Sequence, residues 1–186
     1  NVSIGMKAGA FGLATPSIRY DQRLTNTLSL SANLEYLFAT GRYHYSGGIR
    51  QNGGIQAIRA ELALMGSMPQ GHYQLRGYYY ASSRGIPRAI IRNVSTSDEH
   101  QWDQNAFVQG SVEKTWCMGV EEERSRVLKL QVKGKYSNDY LRYLNPDTTR
   151  YAFDERFTQQ EAYASVALQY HIFSWWSIAA AGDYQY

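Results

Sequence analysis

Few residues in this chain combine a type and a spacing that could do chemistry. The four histidines, His44, His72, His100 and His171, lie far apart and lack the close spacing of a metal centre. Cys117 is the single cysteine, so no internal disulfide can form. Asp147, Asp154 and Glu155 are oxygen donors of the kind calcium takes, but they match no defined calcium loop and read as unpaired surface acids. No nucleophile stands beside a base and no carboxylates pair in a recognisable context, so neither catalysis, a metal nor a cofactor is expected. What remains is non-covalent: the stretches 84–104 and 141–156 mix arginine, aspartate and aromatic side chains.

Composition narrows the partners. The 19 basic and 16 acidic residues give a formal charge of +3 and are interspersed without a long basic block, so nucleic acid is not expected. No run approaches the roughly 18 apolar residues of a membrane-spanning helix, so any crossing of a bilayer must be made by strands. The chain opens on Asn1 without an apolar leader and reads as a mature product or an internal fragment. Its 16 tyrosines stand beside only 4 prolines. An apolar ring with a wet hydroxyl suits strands and membrane interfaces.

The elements that must position these residues are strands, because the apolar period is two. In 28–38, Leu28, Leu30, Ala32, Leu34, Tyr36 and Phe38 alternate with Ser29, Ser31, Asn33 and Glu35. In 127–136, Leu128, Leu130, Val132, Gly134 and Tyr136 alternate with Lys129, Gln131, Lys133 and Lys135. Similar runs at 2–10, 18–24, 58–65, 73–81, 106–112, 162–170 and 176–186 bring the total to roughly nine strands, each about as long as a tilted membrane strand requires. Tight links at 25–27, 66–71 and 173–174 take turns with long ones at 46–55, 85–101 and 145–160, the rhythm of a barrel with short periplasmic turns and long outer loops. The link 118–126, with Glu121, Glu122 and Glu123, fits the short series less well and reads as a solvated turn.

Two-faced strands also occur in soluble antiparallel sheets, which wet one face and bury the other. Here the polar rows carry Arg59, Glu61, His72, Gln74, Arg76, Gln109, Ser111 and Glu113, while the apolar rows include Ala32, Ala60, Gly77, Ala106, Gly110 and Gly134. A sandwich core wants bulkier side chains, whereas lipid fills gaps unaided. Aromatics gather near the inferred strand ends, at Tyr36, Phe38, Tyr43 and Tyr45, at Tyr136, Tyr140 and Tyr143, and at Trp175 and Trp176, as in interfacial girdles. The expected fold is therefore all-β, an antiparallel transmembrane β-barrel.

The stretch Val2-Ser-Ile-Gly-Met-Lys-Ala-Gly-Ala-Phe-Gly12, followed by Ser17-Ile-Arg-Tyr-Asp21, Leu28-Ser-Leu-Ser-Ala-Asn-Leu-Glu-Tyr36 and Gly41-Arg-Tyr-His-Tyr45, resembles the start of the barrel in TonB-dependent outer-membrane receptors. Tyr140-Leu-Arg-Tyr-Leu-Asn-Pro-Asp147, Gln159-Gln-Glu-Ala-Tyr-Ala-Ser165 and Ser174-Trp-Trp176 are similar to Bacteroides-like members of the vitamin B12-receptor type. Such barrels close at about 22 strands around a plug. The resemblance thus implies that 1–186 is part of a larger barrel, placed in the bacterial outer membrane without its plug domain.

The same resemblance implies membrane lipid, the plug domain, the TonB complex and a small-molecule nutrient as partners. Contacts with that nutrient are expected from Arg84, Arg88, Arg92, Trp102, Arg142, Tyr143, Arg150 and Tyr151 on the long connections. Two other classes fit the residues. One is a complete small barrel of eight or ten strands, a pore or adhesin, which the terminal Tyr186 favours and a strand count near nine opposes. The other is a soluble sugar-binding β-sandwich that uses its tyrosines as stacking platforms.

Overall fold

In the computed structural model, residues 1–46, 48–87, 98–118, 126–147, 152–173 and 175–186 are described. Period-two alternation becomes extended backbone throughout: β1 (Val2–Gly9), β2 (Leu13–Arg23), β3 (Leu28–Ala39), β4 (His44–Tyr45), β5 (Gly48–Ile49), β6 (Ile55–Met68), β7 (Gly71–Gly85), β8 (His100–Met118), β9 (Arg126–Asn145), β10 (Phe153–Phe173) and β11 (Trp176–Gln185). Nine of these form one sheet in the order β1-β2-β3-β6-β7-β8-β9-β10-β11, and every adjacent pair is antiparallel. The fold is an all-β meander. β4 and β5 pair with each other inside the connection from β3 to β6.

All nine sequence-read strands lie within this sheet, and most of them run further than the alternation suggested. The largest change is in the connection expected at 145–160, half of which is β10 beginning at Phe153. There Phe153 and Phe157 are interrupted by Glu155 and Gln159 on one face while Asp154, Arg156, Thr158 and Gln160 make the other face polar, so no unbroken apolar row marks the strand. The first link is also tighter than expected. A single turn, Ala10–Gly12, joins β1 to β2, with Phe11 at φ 62° and Gly12 at φ 70°. The Phe11 carbonyl accepts from the Thr40 and Gly41 amides and from the Thr40 hydroxyl, which pins this turn to the end of β3.

At that same end the longer connections are tied to one another. Asn52 donates from Nδ2 to the Glu99 carbonyl at 2.7 Å and to the Ile86 carbonyl at 3.3 Å, and the Gly85 amide donates to the Gly54 carbonyl. At the opposite end β6 turns into β7 through Pro69 and Gln70 alone, and Phe173 pairs with Trp176 where β10 becomes β11. The acidic link with Glu121, Glu122 and Glu123 lies outside the described residues.

Residues directly opposite in an antiparallel pair share a face, so the register sorts the whole sheet. One face carries Ile4, Ile18, Leu34, Leu62, Leu75, Val108, Val132, Val166 and Ile178; the other carries Arg19, Glu35, Arg59, Arg76, Gln109, Lys133, Glu161 and Asp183. The small residues Ala32, Ala60, Gly77, Ala106, Gly110 and Gly134 all fall on the apolar face.

Among the described residues no apolar core lies between layers. Every substantial contact between strands is with a hydrogen-bonded neighbour, and the buried residues among those described are Ala57, Gly66, Ser82, Glu99, Ser137 and Asn145. Ala57, Ser82, Ser137 and Asn145 lie on the polar face, and Gly66 lies on the apolar one under the Tyr73 ring. On the other face Val108 is 54% exposed, Tyr136 50% and Leu62 49%. The sheet is open, with β1 and β11 as its edges.

Candidate functional site: an oblique apolar belt and a cation–aromatic array

The apolar face is a continuous belt rather than a patch. It spans Leu28 to Phe38 on β3, Ile58 to Leu64 on β6, Tyr73 to Ala81 on β7, Leu128 to Tyr136 on β9 and Ile178 to Tyr184 on β11. With tilt allowed, such runs are roughly 15–25 Å tall, the longest of them reaching the height of the lipid-facing band of an outer-membrane barrel. An exposed apolar surface of this extent needs a partner or a membrane.

The belt is oblique to the hydrogen-bonded rows. The row through Tyr36 passes Ile58 and Ala81, then leaves the belt at Gln104, Tyr140 and Thr158. At the other margin, Trp116, Leu128, Tyr170 and Ile178 form an apolar row with no counterpart on β7, which starts at Gly71 opposite Lys114. The apolar band therefore slides toward the turn end between β3 and β11. A flat hydrocarbon slab cut across strands tilted by about 35–45° requires that drift. Trp116, Tyr170 and Trp176 fall at its lower margin, and Tyr36 and Phe38 at its upper one.

The opposite face is knitted by cross-strand polar bonds. The Ser31 hydroxyl donates to Asp21 at 2.6 Å, Asn105 to Asp139 and Gln131 to Glu113, Arg59 lies 3.8 Å from Glu35, and the Tyr163 hydroxyl donates to Asp183 at 3.0 Å. In its midst Tyr78 stacks on Phe107 with centroids 5.0 Å apart, and the Lys135 ammonium lies 5.6 Å from the Phe107 ring centre. A surface of this kind fits water or another polar surface, not hydrocarbon.

The expected ligand residues divide between the two faces. Arg84 is on the polar face, 3.6 Å from Asp103, whose carboxylate also accepts from Ser82 and Gln101. Tyr143 is on the same face and its hydroxyl donates to Glu99, so it does not belong to the aromatic girdle of Tyr136 and Tyr140. Trp102 and Arg142 are directly opposite each other on the belt-bearing face, beyond the belt's upper margin. Arg88, Arg92, Arg150 and Tyr151 lie outside the described residues.

Around Trp102 a short array is built. The Arg142 guanidinium lies 4.8 Å from the indole centroid and donates from Nε and Nη2 to the two oxygens of Asp154, both at 2.8 Å. Arg156, directly opposite Arg142, donates to Asp154 at 3.1 Å. Asp154 is thus a paired acid rather than an unpaired one, and hydrogen bonds from the two arginines hold its carboxyl well below the usual carboxylate range. The His100 ring lies against Trp102 with centroids 4.2 Å apart, 2.7 Å from the Ser83 hydroxyl, and burial pushes its imidazole toward the neutral form. Sequence reasoning singled out Trp102 and Arg142 but not His100, Asp154 or Arg156 as their companions, since only the register brings them together.

The sequence matches no protein-family model and no curated protein.

Proposed function

We propose that this chain forms part of the wall of a transmembrane β-barrel in a bacterial outer membrane, and that the barrel belongs to a TonB-dependent nutrient transporter. The observation that carries the membrane reading is the oblique belt: an exposed apolar band crosses nine strands at an angle to their hydrogen-bonded rows, opposite a face of linked charges. Hydrocarbon on one side and a wet lumen or polar plug on the other fit that division.

Strand direction favours a larger barrel. With nine strands in an antiparallel meander, β1 and β11 run the same way, so an all-antiparallel closure takes in an odd number of further strands. This weighs against a complete barrel made of these strands alone. A sugar-binding sandwich lacks support because no second layer covers the apolar face among the described residues.

The transport part rests on the resemblance. The protein would bind a scarce nutrient such as vitamin B12 or an iron chelate at its lumen and outer loops, and energy from the TonB complex would shift the plug, with no bond made or broken. Arg84 and Tyr143 face the lumen in this arrangement, and Arg88, Arg92, Arg150 and Tyr151 stay in the proposal by their place in the sequence alone. Two experiments test the reading. Expressed without detergent or lipid, the chain should aggregate through its open edges; a compact, soluble monomer that unfolds cooperatively contradicts the membrane wall. Uptake of radiolabelled vitamin B12 or ferric chelate by cells carrying the whole transporter should stop when the proton-motive force is collapsed, and uptake that continues overturns the TonB part.

A further inference from the structure

Trp102 stands in one hydrogen-bonded row with Ser83 on one side and Arg142 and then Arg156 on the other, and all four residues share one face of the sheet. His100, two residues before Trp102 in β8, belongs to the same face. Ser83 and His100 are 17 positions apart in sequence, so only the antiparallel register of β7 and β8 brings a hydroxyl to a base: Ser83 Oγ lies 2.7 Å from His100 Nε2. With the ring hydrogen on Nδ1, Nε2 accepts from the Ser83 hydroxyl, which is how an imidazole activates a serine. Burial favours the neutral imidazole that can take up that proton. The Trp102 ring packs against the imidazole, and the Arg142 guanidinium lies over the same indole.

The same row supplies a charge. Arg142 and Arg156 stand directly opposite each other and share one carboxylate, Asp154, so one positive charge is left over. Two strand spacings put Arg142 about 10 Å from Ser83 along the row, with the indole between them. An ester with its carbonyl at Ser83 and an anionic end about 10 Å away fits that span. Among the described residues no carboxylate meets the His100 ring, so the pair suits an ester with a good leaving group rather than an amide.

We propose that Ser83 and His100 act as nucleophile and general base in the hydrolysis of anionic carboxylic esters, with Arg142 and Arg156 binding the anionic end. Ser83 Oγ forms a bond to the ester carbonyl carbon while its proton passes to His100 Nε2. The bond from that carbon to the alkoxy oxygen breaks, and the alcohol leaves with the proton from Nε2. Water then attacks the acyl-serine, giving a proton to Nε2 that returns to Ser83 Oγ as the acid departs. One ester and one water yield one carboxylic acid and one alcohol, with no further reagent. The inference is independent of the transport reading, because the pair lies on the face opposite the proposed lumen.

The test uses the full chain in detergent micelles, with strand content confirming that each variant folds. The probes are mono-p-nitrophenyl suberate, its methyl ester as the neutral counterpart, and a fluorophosphonate that traps activated serines. Wild type should show a burst of p-nitrophenolate, carry the phosphonate on Ser83 by mass spectrometry, and turn over the charged ester about tenfold faster than the neutral one. Ser83→Ala should abolish burst and labelling. His100→Ala should slow turnover about 10²-fold or more, and added imidazole should restore part of it, which a merely structural role would not allow. Arg156→Ala should lose most of the preference for the charged ester, and His72→Gln, on the opposite face, should behave as wild type. Turnover should rise with pH through a midpoint below about 6.5, because His100 must be unprotonated; the charged groups on its face nearby are Arg142, Asp154 and Arg156. Folded wild type that is neither labelled nor faster than free imidazole overturns the proposal and leaves a cross-strand hydrogen bond only. Turnover that survives Ser83→Ala overturns it as well, and equal rates for the two esters overturn the role of the arginines. Wild type without strand content overturns the sheet on which both this pair and the membrane wall depend.

Discussion

Val108 and Gln109 are neighbours in β8 that belong to different surfaces: Val108 lies between Gly77 and Tyr136 on the apolar face, and Gln109 lies between Arg76 and Lys135 on the polar one. In the proposed membrane wall a charge at the first position meets hydrocarbon, and an acid at the second meets two cations. Val108→Arg should therefore destabilise the membrane-inserted sheet by about 2–4 kcal/mol, whereas Gln109→Glu should stay within about 0.5 kcal/mol of wild type. Denaturant unfolding from lipid micelles measures both. Equal costs at the two positions contradict the assignment of faces.

Gly66 sits directly opposite Tyr73, whose ring lies over the glycine and occupies the place a Cβ would take. Gly66→Val should then cost about 1–3 kcal/mol through overpacking. Adding Tyr73→Ala should recover part of that loss, so a double-mutant cycle in micelles should give a clear coupling. Additive costs would mean that the ring does not lie there.

The Arg142–Asp154–Arg156 array sets a pH dependence outside the membrane belt. Because Asp154's folded pKa lies below its unfolded value, its contribution is fully present above the ordinary carboxylate value of about 3.9. It is lost only as pH falls through the depressed folded value. Carbon-13 titration should find Asp154 ionised at about pH 3, where an ordinary aspartate is mostly protonated. Arg142→Gln should move the midpoint upward without restoring it fully, since Arg156 still donates. A wild-type midpoint in the ordinary range would show that the paired bonds are not held.

Strand identity was legible in the sequence because one face is apolar: Leu28 to Phe38 and Leu128 to Tyr136 announce both their conformation and their apolar side. Strand length was not. β10 reaches back to Phe153, and there Phe153 and Phe157 are separated by Glu155 on one face while Asp154, Arg156 and Thr158 fill the other, so the alternation is too broken to announce a strand. The aromatic–cation array was half legible. Trp102 and Arg142 were marked by type, but their stacking depends on a register set across the link from β8 to β9. Adjacent residues in a strand also point opposite ways, which is why Arg142 and Tyr143 cannot serve one surface.

The belt itself is most directly tested by spin-label accessibility along β8. Single labels placed from residue 104 to residue 116 in the vesicle-inserted protein should alternate strictly: labels at Ala106, Val108, Gly110 and Val112 relax with oxygen dissolved in lipid, and those at Phe107, Gln109 and Ser111 with a water-soluble nickel chelate. If the even-numbered labels are shielded from both reagents, another protein layer covers them, and the membrane-wall assignment is wrong.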